Sequence, residues 1–383
     1  MKNFVILLFL GALGLFAVSC ADTLSDASSV REPNLPESLL NYTSVMDDLE
    51  DFSLPAEFIG VVDEDIITNS FDTRVFGHVT NDAVATLGRV LFYDSKMSKN
   101  NSIACASCHK QELAFADGNK VSEGFGGKMT DRNSMSIANP IFNSTFFWDG
   151  RSRSLEDLSL RPVFNHVEMG MDNEFELINK LSDEPYYKAL FEDAYGSELI
   201  TTEKIQGALA QFISSMVSTD SKFDEGLATD FANFNELEKH GMALFFSPNS
   251  NCSSCHNGIN FASPTIQSFE NPYTQTAGTT NIGLDIVYED KGFSDGRFKI
   301  PSLRNIALTG PYMHDGRFET LREVLDHYNN QIQPHHKLDV KLHSNGAPKR
   351  LNLTDLDLDA MEAFLKTLTG QSILSDERYS NPF

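Results

Sequence analysis

Residues 104–109 read ACASCH and residues 251–256 read NCSSCH, so one chain carries two Cys-x-x-Cys-His strings, Cys105, Cys108, His109 and Cys252, Cys255, His256. Paired thiols at this spacing can ligate zinc, cycle as a redox couple, close a disulfide, or form thioether bonds to the vinyl groups of haem. Zinc ribbons separate their cysteine pairs by roughly 15–20 residues, far less than the gap here. Neither zinc nor a disulfide explains a histidine directly after each pair. Thioether attachment explains it: two thiols fix the macrocycle and the adjacent imidazole reaches the iron from the proximal side. The strings therefore predict two covalently bound haem c groups.

What such an iron does depends on its sixth position. Between Lys110 and Asn165 there is no histidine to fill it at the first motif. An iron without a strong sixth ligand can take a small molecule such as peroxide; Met129 and Met135 are the alternatives that would close the site. Cleaving peroxide needs a group that accepts a proton from one oxygen and delivers it to the other. The stretch RPVFNHVEMGM offers Glu168 and His166, although a glutamate in such a loop is also an ordinary helix-start or surface residue. Trp148 in NPIFNSTFFWDGR is the sole tryptophan. It can serve as a core anchor or as an electron carrier between two cofactors.

These residues need elements to position them. The motifs share a context: LGRVLFYDSKMSKNNSIACASCHK parallels HGMALFFSPNSNCSSCHNG. Each has an amphipathic lead-in and an aromatic pair after leucine (Phe92-Tyr93, Phe245-Phe246), which predicts two related helical units in tandem. The 383 residues are 41% hydrophobic, enough for two cores. We read a mainly α chain of two tandem cytochrome c-like domains, 53–235 and 236–383. Helical spacing recurs in EFELINKLSDEPYYKALFEDAYG and TEKIQGALAQFISSM, and LTDLDLDAMEAFLKTLTG opens on a threonine cap and closes on glycine. The start, MKNFVILLFLGALGLFAVSC, is a secretory signal over residues 1–19 rather than a membrane span. Its AVSC ending resembles a lipobox, which would make Cys20 a lipidated first residue followed by an acidic tether over 20–52. Residence outside the cytoplasm, periplasmic and lipid-anchored, follows from that. The formal net charge of −24 argues against nucleic acid and against an anionic membrane surface as partners, leaving the lipid as the membrane contact. It suits a small basic electron donor.

The ordered set LGRVLFYD, CASCH, RNSMSIANPIFNSTFFWDGR, RPVFNHVEMGM, CSSCH, IPSLRNIALTGPYMHDG and LREVLDHYN resembles the bacterial dihaem cytochrome c peroxidase and MauG superfamily from about residue 53 to the end. The resemblance implies a peroxide-reactive haem in the N-terminal domain and an electron-relay haem in the C-terminal domain, with calcium between them. It assigns Glu168 as the distal acid–base residue, with Pro162 in the same pocket and Trp148 between the haems. Calcium ligands fall on the Asn133 side chain and the Thr309 and Pro311 carbonyls, an oxygen set suited to a hard cation. A distal glutamine of the family falls on Leu158, so that contribution is missing. Phe125 stands where some members carry a removable distal histidine. Tyr328 stands where typical peroxidases place a distal methionine on the second haem, which is the MauG-like pattern; Met313 is a rival ligand, and a buried helical tyrosine is the plain alternative. Homodimers are common in the family.

Three functions follow as expectations. The leading one is a peroxidase that reduces hydrogen peroxide to water with electrons from a small donor such as cytochrome c. The second is a MauG-like oxidase that uses peroxide to oxidise a protein or other large substrate over a distance. The third, a dihaem electron carrier without catalysis, fits poorly with the missing distal histidine and with Glu168.

Overall fold

The computed structural model describes residues 32–45, 79, 81–143, 145–262 and 278–383. The signal segment, Cys20 and most of the acidic tether lie outside these residues. Ten α-helices are formed among them: α1 Asp82–Tyr93, α2 Cys105–Cys108, α3 Leu155–Ser159, α4 Glu174–Ser182, α5 Pro185–Tyr195, α6 Thr202–Ser214, α7 Lys222–Leu227, α8 Glu236–Phe246, α9 Leu321–Asp326 and α10 Asp355–Lys366. The strands are two-residue pieces paired antiparallel, β1 Thr279–Thr280 with β2 Phe298–Lys299 and β3 His343–Ser344 with β4 Ala347–Pro348. The protein is mainly helical, as the sequence predicts.

Local sequence explains the helix starts. Asn81 accepts the Ala83 and Val84 amides at the head of α1. Asn235 with Glu238 and Thr354 with Asp357 form reciprocal capping boxes on α8 and α10, each satisfying amides that would otherwise lack partners. The apolar stripes then pair, α1 against α6 and α8 against α10.

The two pairs are built alike. Gly88 of α1 abuts the Ala208 carbonyl of α6, where an added Cβ would sit 2.0 Å from the oxygen. Gly241 of α8 abuts the Ala360 carbonyl of α10, where a Cβ would sit 1.8 Å away. The aromatic packing repeats as well. Phe92 lies 5.4 Å from Phe212 and 6.2 Å from Phe115, and Phe245 lies 5.2 Å from Phe364 and 6.1 Å from Phe261, ring centroid to centroid. Each helix pair centres its own hydrophobic core, one around Leu87, Leu91 and Phe212 and the other around Phe223, Phe245 and Phe364. The tandem relation legible in the two lead-in segments is therefore carried into three dimensions.

One connection does not follow chain order. Beyond α10 the C-terminal tail returns to the first core, where Ile373 and Tyr379 are buried. Buried Arg89 donates to the Ser380 carbonyl (2.6 Å) and hydroxyl (2.8 Å), and Gln111 donates to the Ile373 and Asp376 carbonyls. Residues Pro33–Phe383 form one compact unit. Among the described residues no helix is long and apolar enough to cross a membrane.

Candidate functional site

The first cysteine pair occupies the single turn of α2, and the second lies on a 3-10 turn, Cys252–Ser254, running into Cys255. None of the four thiols is in a disulfide. Burial pushes Cys105 and Cys252 up to about 12, and Cys108 and Cys255 are raised for the same reason. Reactive redox thiols need the opposite, an electropositive setting that lowers the pKa.

The histidines are oriented identically. His109 Nδ1 lies 2.9 Å from the Phe115 carbonyl, and His256 Nδ1 lies 3.0 Å from the Phe261 carbonyl. A carbonyl only accepts, so each Nδ1 carries the proton and each Nε2 keeps its lone pair for an iron. Both carbonyls belong to phenylalanines held at positive φ, 61° for Phe115 and 47° for Phe261. A bulky residue rarely adopts that region, and such strain gathers at functional sites. Burial lowers both imidazoles, His256 to about 4, which keeps them neutral and able to ligate.

A largely apolar cavity opens over the second motif, lined by Cys252, Cys255, His256, Met313, Tyr328 and Lys299. Tyr328 sits on a π-helical turn, His327–Gln331, that continues α9, an irregularity frequent at functional sites. Its hydroxyl makes no hydrogen bond among the described residues, and burial raises its pKa. Thr309 and Pro311 line the same cavity.

Glu168 stands by the first motif. Its negative charge adds to the upward push on both Cys105 and Cys108. Asn165, which sequence reasoning missed, donates through Nδ2 to Glu168 Oε1 at 2.8 Å and takes the Val167 amide on its own oxygen. Pro162 opens this turn, its carbonyl accepting the Asn165 amide. Burial raises the Glu168 pKa, with Arg151 opposing and Asp131 assisting. The loop carrying Phe125 is latched onto this turn: the Phe125 amide donates to both the Val167 and Glu168 carbonyls at 2.8 Å. The approach is so close that a Cβ on Gly124 would meet the Val167 oxygen at 2.1 Å, and the Phe125 ring lies over Gly170. His166 is exposed. Met129 is 52% exposed, and the Met135 carbonyl lies at the His109 ring, which is the proximal side. Leu158 packs against the first core.

Trp148 joins the two halves. Its indole N–H donates to the Asn133 carbonyl (2.9 Å), and its own carbonyl accepts the Lys299 amide (2.6 Å). Asn133 in turn donates its amide to the His314 carbonyl (2.8 Å) and its side-chain nitrogen to the Asn119 carbonyl (2.9 Å). Arg132 beside it forks onto Asp290 (2.6 and 2.8 Å) and reaches Asp149 (2.8 Å).

A separate cluster gathers Asp295, His335 and His336 within ligating distance of one another. His335 Nδ1 accepts the Lys337 amide (3.0 Å) and an amide proton of Asn281, whose oxygen is fixed by the Gly283 amide. The His335 proton therefore sits on Nε2, facing Asp295 at 3.9 Å. With its lone pair engaged at Nδ1, His335 turns no lone pair toward Asp295, which pairs with His336 Nε2 at 2.8 Å, so the trio does not present three ligand atoms to a metal.

Two Cys-x-x-Cys-His turns, each with an imidazole tied at Nδ1, define a protein built to hold two c-type haems. The comparisons agree. The model of the di-haem cytochrome c peroxidase family matches residues 82–231. Cytochrome c551 peroxidase of Nitrosomonas europaea is 31% identical over 303 residues, covering 76% of this chain and 81% of the relative. The methylamine utilization protein MauG of Paracoccus denitrificans is 31% identical over 353 residues, covering 76% and 89%. A crystal structure of a MauG-like protein associated with microbial copper homeostasis superposes with a TM-score of 0.69 at 33% identity, covering 79% of this chain and 93% of that one. The chain belongs to the dihaem cytochrome c peroxidase and MauG family, which implies two haem c groups, and it is an oxidoreductase of the dihaem peroxidase class.

Proposed function

We propose that the chain is an exported peroxidase that reduces hydrogen peroxide to two waters, with two electrons from a small donor such as a basic cytochrome c. Electrons enter at the His256 site and pass by way of Trp148 to the His109 site. The observation that carries this reading is Glu168, half-buried beside the first motif and oriented by Asn165, under a loop whose residue at the critical place, Phe125, has no lone pair to offer an iron. When bound, the haem supplies the iron at which the peroxide O–O bond is reduced. Glu168 takes a proton from the substrate and returns it to the departing oxygen, and the latched Phe125 loop covers the site. Fully oxidised protein given peroxide and a reduced small cytochrome c is expected to turn over at once. A lag removed only by prior reduction would overturn the argument from Phe125.

Tyr328 favours a second reading. A phenolate ligand lowers an iron's potential and supports higher oxidation states, as a MauG-like oxidase of a protein partner requires; Met313, on the same cavity wall, is the rival ligand. Peroxide-dependent modification of a protein partner, with no cytochrome turnover, would select this reading over the first.

We also place calcium between the halves, on the Asn133 Oδ1 and the Thr309 and Pro311 carbonyls. In support, the Asn133 amide is turned so that its nitrogen is hydrogen-bonded and its oxygen has no partner among the described residues. Because Asn133 also holds the Trp148 indole, removing the ion loosens the relation between the two sites. Chelation followed by desalting is expected to lower turnover and alter the spectra; unchanged spectra and turnover would mean that no ion matters there. Export and a lipid anchor at Cys20 complete the proposal, and an intact mass showing two haems on a lipid-bearing chain that lacks residues 1–19 would support both.

A further inference from the structure

Lys299 of β2 is out of place on ordinary grounds. It is 9% exposed, and its ammonium makes no hydrogen bond or ion pair among the described residues. A lysine this deep normally has a partner. Burial alone pulls it down to about 8, the response of a cation that nothing nearby compensates. Two other charged groups on the cavity wall are already engaged. Arg304 forks onto Asp224 and donates to the Ile259 carbonyl. Asp339 accepts the Thr280 hydroxyl (2.6 Å) and the Lys341 amide (2.9 Å). Lys349 also lines the wall but is only half-buried. Lys299 is the deeply buried cation that faces this largely apolar cavity with no counter-ion among the described residues, near enough to the proximal ligand for its charge to act on His256.

The cavity wall is therefore complete only when something anionic enters it. We propose that Lys299 is the anchor for a carboxylate inside the second cavity, namely a propionate carried in by the haem attached at Cys252 and Cys255. The prosthetic group brings two such carboxylates, and a buried carboxylate needs a cation as much as the buried ammonium needs an anion. The pairing also has a structural consequence. The Lys299 amide donates to the Trp148 carbonyl, so one residue on a short strand fixes both the second prosthetic group and the tryptophan between the halves. Pairing at this position holds the second haem in register with Trp148 and adds a positive charge that favours the reduced, less positive iron.

This inference rests on the second haem occupying the cavity, not on peroxide chemistry, so its test uses no peroxide. The midpoint potential of the second haem is measured by spectroelectrochemical titration of the holoprotein, from mildly acidic to mildly alkaline pH, in wild type, Lys299→Met and Lys299→Arg. In Lys299→Met the carboxylate either stays ionised, and the midpoint falls, or takes up a proton, and the midpoint gains a pH dependence that wild type lacks. Lys299→Arg keeps the wild-type midpoint. If the methionine variant fails to load its haems, Lys299→Gln removes the charge while keeping a donor and answers the same question. A charge-removed variant with the wild-type midpoint across that pH range overturns the proposal. So does a wild-type midpoint that moves when chloride, phosphate or acetate is added, because the anion is then diffusible and not part of the haem. Absence of a second haem spectrum in wild type would instead sink the dihaem reading itself.

Discussion

Replacing Glu168 with glutamine is expected to slow peroxide consumption by about 100- to 10,000-fold, the range that positioned acid–base groups contribute. Glutamine has the shape of glutamate and keeps an Oε1 that can still accept from Asn165 Nδ2. The turn, the latched Phe125 loop and the resting spectrum should therefore survive, and only the ability to exchange a proton is lost. The pH profile gives an independent check. Glu168 must be ionised to take the first proton. Burial stabilises its neutral form and raises its pKa, while Arg151 partly opposes this. Peroxide consumption should accordingly rise with pH through a point above the ordinary carboxylate range, and the glutamine variant should lose that limb. Rapid-mixing measurement of peroxide loss across pH decides the matter. A variant with normal turnover, or an unchanged low-pH limb, would reduce Glu168 to a residue that merely completes its turn.

The two attachment strings were legible in the sequence because covalent attachment demands fixed local spacing: two thiols and an imidazole within five residues can be read without knowing the fold. The repeat was legible for a similar reason, since Gly88 and Gly241 hold the same place ahead of Phe92 and Phe245. What could not be read is set by distant backbone. The carbonyls of Phe115 and Phe261 orient the histidines, yet nothing in a phenylalanine announces a carbonyl presented from a left-handed residue. The Tyr379 tail inserts into the first core from the far end of the chain, a contact no local periodicity reports. Lys299 in FKIPSLRN looks like a surface lysine beside an apolar stretch, and only the pairing of β2 with β1 turns it inward. Trp148 was placed between the sites by resemblance alone. Its hydrogen bonds tie it to Asn133 and Lys299, residues far apart in the chain that no local pattern pairs.

The helix crossings carry the other large expectation. Gly88→Ala and Gly241→Ala should each destabilise the protein by about 1–3 kcal/mol or more, the cost of overpacking a filled interface. In both cases the obstacle is a backbone carbonyl that cannot rotate away, the oxygens of Ala208 and Ala360 standing 2.0 and 1.8 Å from the new Cβ. The Cβ atoms of Phe212 and Phe364 stand close behind, at 2.7 and 2.9 Å, so relief means moving whole helices apart. Movement of α1 pulls Phe92 away from Phe115, whose carbonyl orients His109; movement of α8 pulls Phe245 away from Phe261, whose carbonyl orients His256. Each variant should therefore lower the Tm and disturb the spectrum of its own haem more than that of the other. Gly207→Ala on α6 is the control. Its Cβ meets only the Tyr195 hydroxyl, at 3.2 Å, and alanine is a better helix former than glycine by about 1 kcal/mol. That substitution should be neutral or mildly stabilising. Wild-type melting for Gly88→Ala or Gly241→Ala would show that the crossings tolerate a methyl group, and that the two glycines match for some reason other than close helix contact.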